Sequence, residues 1–380
     1  MNLSYILNHL GEERENYFNA MTPPVIQTSN FVFRTFEEFE KAIQNEHETS
    51  VYTRGLNPTI AILAKKIAAL EEMEDCLVTA SGMAAISTAV LSCVEKNSHI
   101  ICVQHPYSWT NKLFNYFLEK FGIKTTFVDG TDAKKIFEAT IPETKLIYLE
   151  SPNTFTFELQ DIEAISQFAK SKNIITILDN SYSSPLSQKP SHFGIDIVVH
   201  SATKYLNGHS DVVAGVICSS KKIIFKMFKN EFLTLGGIIS PMNAWLMLRG
   251  LRTLPLRMKH SAESAEKIVH FLQNHPKIEK IYYPFLPTNP QFALAKKQMT
   301  FNSGLFSVLL RTNSLEKVKN FCNSLRYFLL AVSWGGYESL IFPAGISHCD
   351  FLPQNLIRFY IGLEETDVLI SDLEKALEKV

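Results

Sequence analysis

Between Cys76 and Cys218 short apolar runs alternate with stretches of helical spacing, and this alternation constrains the fold more than any other feature. The runs are Cys76-Leu77-Val78, 99–103, 124–128, Leu146-Ile147-Tyr148-Leu149, 174–178, 196–199 and Val212 to Cys218. Most have the length and β-branched content of strands buried on both faces. The segments 83–94, 111–121 and 161–170 read as helices between them. Alternation of this kind predicts an α/β fold, with a mostly parallel central sheet covered by helices. In such sheets ligands bind at the carboxyl ends of the strands. Glu150, Asp179 and Lys204 all fall at such ends.

The chain has 380 residues, too many for one compact core. Residues 1–56 read as an arm: a short amphipathic helix, then an extended stretch through Thr22-Pro23-Pro24, where Pro-Pro prevents helix. Asn57-Pro58-Thr59 starts a helix with Ile60, Leu63, Ile67 and Leu70 at helical spacing. The expected cofactor-binding unit is 57–250. A smaller α+β unit follows over 251–380. It contains a long helix through Ala262 and Leu272, strands near 281–283, 304–310 and 356–361, and a closing helix over 366–379.

The net charge of -1 argues against nucleic acid as a partner. No apolar stretch approaches the ~20 residues of a membrane span. The first residues carry Glu12, Glu13, Arg14 and Glu15 where a signal peptide needs an apolar region, so a cytoplasmic location is expected. The six cysteines form no CxxC pair and read as reduced and buried. His348-Cys349-Asp350 matches no zinc spacing, and no metal is expected.

Asp179 at one strand end and Lys204 just past the next suit pyridoxal phosphate (PLP). A lysine attaches the aldehyde, and an acid keeps the pyridine nitrogen protonated so that the ring can accept electrons. Ser81-Gly82-Met83 follows a strand and opens a helix, where backbone N–H groups favour an anion. Ser201 and Thr203 flank Lys204 and add hydroxyl groups. Arg358, inside the apolar run Leu356-Ile357-Arg358-Phe359-Tyr360, is expensive there unless it meets an anion.

These segments resemble the Cys/Met-metabolism PLP enzymes: the cystathionine lyases and synthases and methionine γ-lyase. The resemblance runs from Thr22 to Leu373. It implies the fold type I, aspartate aminotransferase-like architecture. It also implies that Ser81-Gly82-Met83 holds the phosphate, and that Tyr52 and Arg54 reach the phosphate of a neighbouring subunit's cofactor. An active monomer is then excluded, and a homotetramer built of two active dimers is expected. Tyr107 matches the tyrosine that stacks on the cofactor ring and helps position the leaving group. Arg358 matches the substrate-carboxylate arginine, with Ser333 a second contact. Ser333-Trp334-Gly335-Gly336-Tyr337-Glu338 looks like the bacterial cystathionine β-lyase branch, Trp334 narrowing the pocket. Asn153-Thr154-Phe155 departs from the usual small residue followed by Asn-Pro, so Thr154 replaces the Asn that touches the ring oxygen. Trp109 lies in a loop that varies among members.

The expectation is a carbon–sulfur lyase that splits the small sulfur amino acid L-cystathionine by β-elimination into homocysteine, pyruvate and ammonia. The alternatives are a γ-acting member, either a cystathionine γ-synthase or a cystathionine or methionine γ-lyase, and a non-catalytic PLP-fold binding protein.

Overall fold

The structure, a computed structural model, describes residues 1–346 and 351–380. His348, Cys349 and Asp350, weighed above as metal ligands, lie outside the described residues. Among the described residues the chain forms two sheets, one of seven strands and one of five. The larger comprises β1 (Asp75–Thr79), β2 (His99–Val103), β3 (Lys124–Val128), β4 (Thr144–Glu150), β5 (Ile175–Asp179), β6 (Ile197–His200) and β7 (Gly215–Ser219), in the order β1-β7-β6-β5-β4-β2-β3. Strands β6, β5, β4, β2 and β3 pair parallel, and β7 runs antiparallel to both β1 and β6.

Successive residues of these strands point to opposite faces, and both faces are apolar. Ile177, Val199 and Ile217 pack with Ala85, Ile86 and Ala89 of the helix Gly82–Leu91. Leu178, Val198 and Val216 pack with Leu63 and Ile67 of the helix Pro58–Glu71 and Ile162 and Ile165 of the helix Ile162–Ser171. Asn57 caps the first of these covering helices, its side chain accepting from the Thr59 N–H at 3.0 Å, with Pro58 at the first turn.

The second sheet comprises β8 (Ile278–Tyr282), β9 (Leu305–Leu310), β10 (Leu329–Leu330), β11 (Leu340–Pro343) and β12 (Leu356–Tyr360), ordered β10-β11-β12-β9-β8. The helices Leu254–Gln273 and Thr366–Leu377 cover one face, burying Ile268, Leu272, Leu369 and Leu373.

The expected helix over 111–121 is instead Ser108–Lys112, a π turn over Leu113–Phe117 and a 3-10 turn over Glu119–Phe121. The wider turn seats Phe114 edge-on against Tyr148, with ring centroids 5.2 Å apart. β7 starts three residues later than expected, because Ala214 bonds Thr203 in a loop. The arm also contains a second helix, Phe36–Gln44, after the extended stretch.

Candidate active site

Glu150 and Asp179 end β4 and β5 directly opposite one another in register. Lys204 follows β6 by four residues. Its Nζ donates to Ser333 Oγ at 2.5 Å and lies 5.4 Å from the Trp334 ring. It has no carboxylate partner within ion-pair distance among the described residues. Burial and the Arg358 guanidinium push the Lys204 ammonium down to about 8, against the pull of Asp179. Arg257 braces the turn after Lys204 from below. Its Nη1 donates to the Tyr205 carbonyl and its Nη2 to that of Gly250, both at 2.9 Å.

Asp179 is buried, and its Oδ1 accepts both Ser181 N–H at 2.9 Å and Ser181 Oγ–H at 2.5 Å. Oδ2 has no protein donor among the described residues. The same Ser181 Oγ accepts from the Ser201 N–H at 2.7 Å, so one hydroxyl ties the aspartate to the lysine loop. Ser181 was not singled out from sequence; only the strand-end geometry reveals its place.

At the start of the helix Gly82–Leu91, Ser81 Oγ accepts from Ala84 N–H at 3.0 Å. The N–H groups of Gly82 and Met83 find no protein acceptor among the described residues, as expected at a helix start. A Cβ on Gly82 would stand 2.9 Å from Ser201 Cβ, so the glycine permits the two loops to close on each other. The Thr203 hydroxyl, expected to face the anion, is engaged instead with the backbone of Ala214: its Oγ1 donates to the carbonyl at 3.2 Å and accepts from the N–H at 3.0 Å.

Arg358 is buried in β12. Its Nη1 reaches the Thr154 carbonyl at 3.5 Å and its Nη2 the Ser333 carbonyl at 3.4 Å. Burial lowers its pKa to about 10, against the pull of Tyr107 and Glu150. Ser333 thus touches Lys204 through its side chain and Arg358 through its backbone. It does so with φ +79°, a left-handed conformation that L side chains rarely adopt. Trp334 packs edge-on to Tyr205, and Gly335 lies against the Lys204 and Tyr205 backbone.

Tyr107 is half-exposed, and its N–H donates to Glu150 Oε2 at 2.7 Å. Burial, helped by Glu150, raises the phenol pKa, so the hydroxyl stays protonated at neutral pH. Burial and the neighbouring Asp179 push Glu150 up to about 8. The Thr154 side chain makes no hydrogen bond among the described residues; only its carbonyl is used. Tyr52 and Arg54 make no hydrogen bond to these site residues among those described. Both are exposed, the guanidinium 5.8 Å from the Tyr52 ring, and Arg54 has no anionic partner among the described residues. Trp109 is exposed beside Lys112.

A buried lysine held mostly by a serine, an aspartate oxygen left without a protein donor, and a helix opening with free N–H groups suit one ligand. It would be an aldehyde with a basic ring nitrogen and a phosphate. These residues fit pyridoxal phosphate, and with a sheet whose only reversed strand is β7 they define a fold type I PLP-dependent enzyme. Residues 5–378 match the family described as Cys/Met metabolism PLP-dependent enzyme, and the chain belongs to that family. It is 37% identical to an L-methionine gamma-lyase of Fusobacterium nucleatum subsp. nucleatum, across 96% of this chain and 95% of that protein. It is 35% identical to a cystathionine beta-lyase of Coxiella burnetii, across 97% of this chain and 96% of that one. A solved structure of metB from Corynebacterium glutamicum superposes with a TM-score of 0.93 at 31% identity, covering 100% of this chain and 98% of that chain. No helix among the described residues is long and apolar enough to cross a membrane.

Proposed function

We propose that the chain is a carbon–sulfur lyase that cleaves L-cystathionine, with one water, by β-elimination into homocysteine, pyruvate and ammonia. The observation that carries this reading is the Ser333–Trp334 turn, which sets a hydroxyl and an indole against Lys204 beside Arg358. The indole narrows the space past the reacting carbons, which favours loss of a group from Cβ. Pyridoxal phosphate, when bound, supplies the electron sink for the carbanion at Cα.

The chain's own residues do the rest. Lys204 anchors the cofactor and, as a neutral amine, takes the Cα proton. Asp179 pairs with the ring nitrogen, held by Ser181. Ser81, Gly82, Met83 and Ser201 hold the phosphate, with Thr203 bracing their loop through Ala214. Thr154 would stand in for the residue that meets the ring oxygen. Arg358 and Ser333 bind the substrate carboxylate. Tyr107 would stack on the ring, and its phenol, kept protonated by burial, would donate to the departing sulfur. Tyr52 and Arg54 serve a neighbouring subunit's phosphate, so the working form is at least a dimer; the family resemblance adds a homotetramer of two such dimers, in the cytoplasm. In this reading 1–56 is the arm, 57–250 the cofactor-binding unit and 251–380 the smaller unit.

A second reading, γ-elimination, is supported by the likeness to L-methionine gamma-lyases. It needs a further proton transfer at Cβ before the sulfur leaves. One experiment separates the two: incubate the PLP-loaded enzyme with L-cystathionine and identify the keto acid. Pyruvate with homocysteine supports β-elimination; oxobutyrate with cysteine replaces it with γ-cleavage. Lys204→Ala should abolish turnover in either case, and wild-type activity in that variant would remove the site assignment.

A further inference from the structure

We infer that Phe155 and Phe342 are positioning residues for substrate recognition, packing two adjoining aromatic rings against the Arg358 guanidinium so that its donors stay free for a carboxylate. The inference rests on the reading of Arg358 as the carboxylate-binding group. The guanidinium carbon lies 5.1 Å from the Phe155 ring centroid and 5.5 Å from that of Phe342. The two rings are tilted by 46° with centroids 5.7 Å apart. Phe342 is the direct cross-strand partner of Arg358 in the β11–β12 pair. Phe155 comes from elsewhere, the loop after β4, and the adjacent Thr154 carbonyl also receives Arg358. The cation is therefore gripped from the large sheet and the small one at once.

The chemistry of the grip is informative. A guanidinium carries five N–H donors. Here they meet two carbonyls at 3.5 and 3.4 Å, which are long contacts, and no carboxylate among the described residues. A buried cation in that condition is costly unless something else compensates. Aromatic faces compensate through their quadrupoles without offering an anion. An Asp or Glu in the same place would stabilise the arginine equally well, and would then compete with the incoming carboxylate. Two phenylalanines fix the cation and leave its charge unsatisfied. This pair was invisible in the sequence because Phe155 and Phe342 are far apart and each alone reads as core.

The test uses the PLP-loaded enzyme and two small amines read by the cofactor's absorbance: glycine, which has a carboxylate, and methylamine, which lacks one. In Phe155→Leu and Phe342→Leu, glycine should bind about tenfold more weakly while methylamine changes by less than about twofold. KM for L-cystathionine should rise in step with kcat nearly unchanged. Phe155→Tyr, which keeps a π face, should retain wild-type glycine affinity. Equal weakening of glycine and methylamine would show only a packing loss and overturn the proposal, as would no change in either. Arg358→Ala separates the two levels. If it weakens glycine while neither leucine variant does, the aromatic grip is wrong and the carboxylate reading stands. If it leaves glycine binding intact, the carboxylate reading falls and the grip with it. Should one leucine variant fail to load cofactor, the other decides the question.

Discussion

Glu150 and Lys204 set opposite pH dependences on the same pocket. In the cofactor-free protein Glu150 is raised from 4.5 to about 8, chiefly by burial and then by Asp179. The folded state therefore holds a proton there that the unfolded chain has released. The stability from this group is complete below its unfolded pKa of 4.5 and is lost as pH rises through about 8. Lys204 works the other way. It is lowered from 10.5 to about 8, so the unfolded chain binds the extra proton between those values, and stability rises with pH across that window. We predict that Glu150→Gln flattens the fall in unfolding midpoint of the cofactor-free protein between about pH 5 and about pH 8. Lys204→Met should remove the opposing rise above about pH 8. Urea unfolding followed at several pH values checks both, and an unaltered lower limb in Glu150→Gln would count against that carboxyl as the titrating group.

Strand β7 and the turn after β1 must approach closely for the helix start at Ser81-Gly82, the proposed phosphate cradle, to form. A Cβ on Gly215 would stand 2.1 Å from the Ser81 carbonyl oxygen and 2.7 Å from Thr79 Oγ1. Neither neighbour is free to move, since Thr79 Oγ1 donates to that same carbonyl at 2.9 Å. We predict that Gly215→Ala costs at least about 1–3 kcal/mol in urea unfolding. It should also weaken cofactor binding by roughly tenfold or more, measured by titrating the cofactor-free protein, because the displaced Ser81 carries the helix start. Undisturbed cofactor affinity in a destabilised Gly215→Ala would separate β7 from the cradle. At this scale much was legible in the sequence. The buried strands announced themselves by β-branched runs, and Asn57-Pro58 and Ser81-Gly82 announced helix starts, because each signal is local. What escaped was non-local. Glu71 and His200, joined at 2.5 Å across 129 positions, both look like surface residues in a sequence. Short β10 and β11 carry too few residues for a period to appear. Ser181 and the Phe155–Phe342 pair gain meaning only once the strand ends and the two sheets meet.

Across the whole molecule, the arm is clasped to the body by a buried cluster of charges. Glu12 is 4% exposed and Lys66 1%. Lys66 Nζ lies 3.1 Å from Glu12 Oε1 and donates to the carbonyls of Ile6 and Leu7 at 2.9 and 3.0 Å. Arg252 and Arg14 reach the same carboxylate at 3.1 and 3.2 Å. One carboxylate therefore meets three cations, from the arm, the helix Pro58–Glu71 and the helix Pro241–Arg252. A second clasp lies further along. Trp245 Nε1 donates to the Pro23 carbonyl at 2.9 Å, and Thr59 Oγ1 donates to that of Pro24 and accepts from Ile26 N–H. Removing Glu12 leaves Lys66 buried without a counter-charge, a change that costs about 3–5 kcal/mol. The cheaper outcome for the molecule is to peel off the first twenty or so residues as far as the Pro23 clasp. We predict that in Glu12→Gln trypsin cuts rapidly after Arg14, while the wild type resists there, with the fragments identified by mass spectrometry. The segment carrying Tyr52 and Arg54 lies beyond the second clasp, so cofactor affinity and assembly mass should stay near wild type. Loss of both along with the cleavage would mean that the charge cluster holds the entire arm, including the segment that carries Tyr52 and Arg54. Pairing Glu12→Leu with Lys66→Met, which removes the central charges together, should restore much of the resistance.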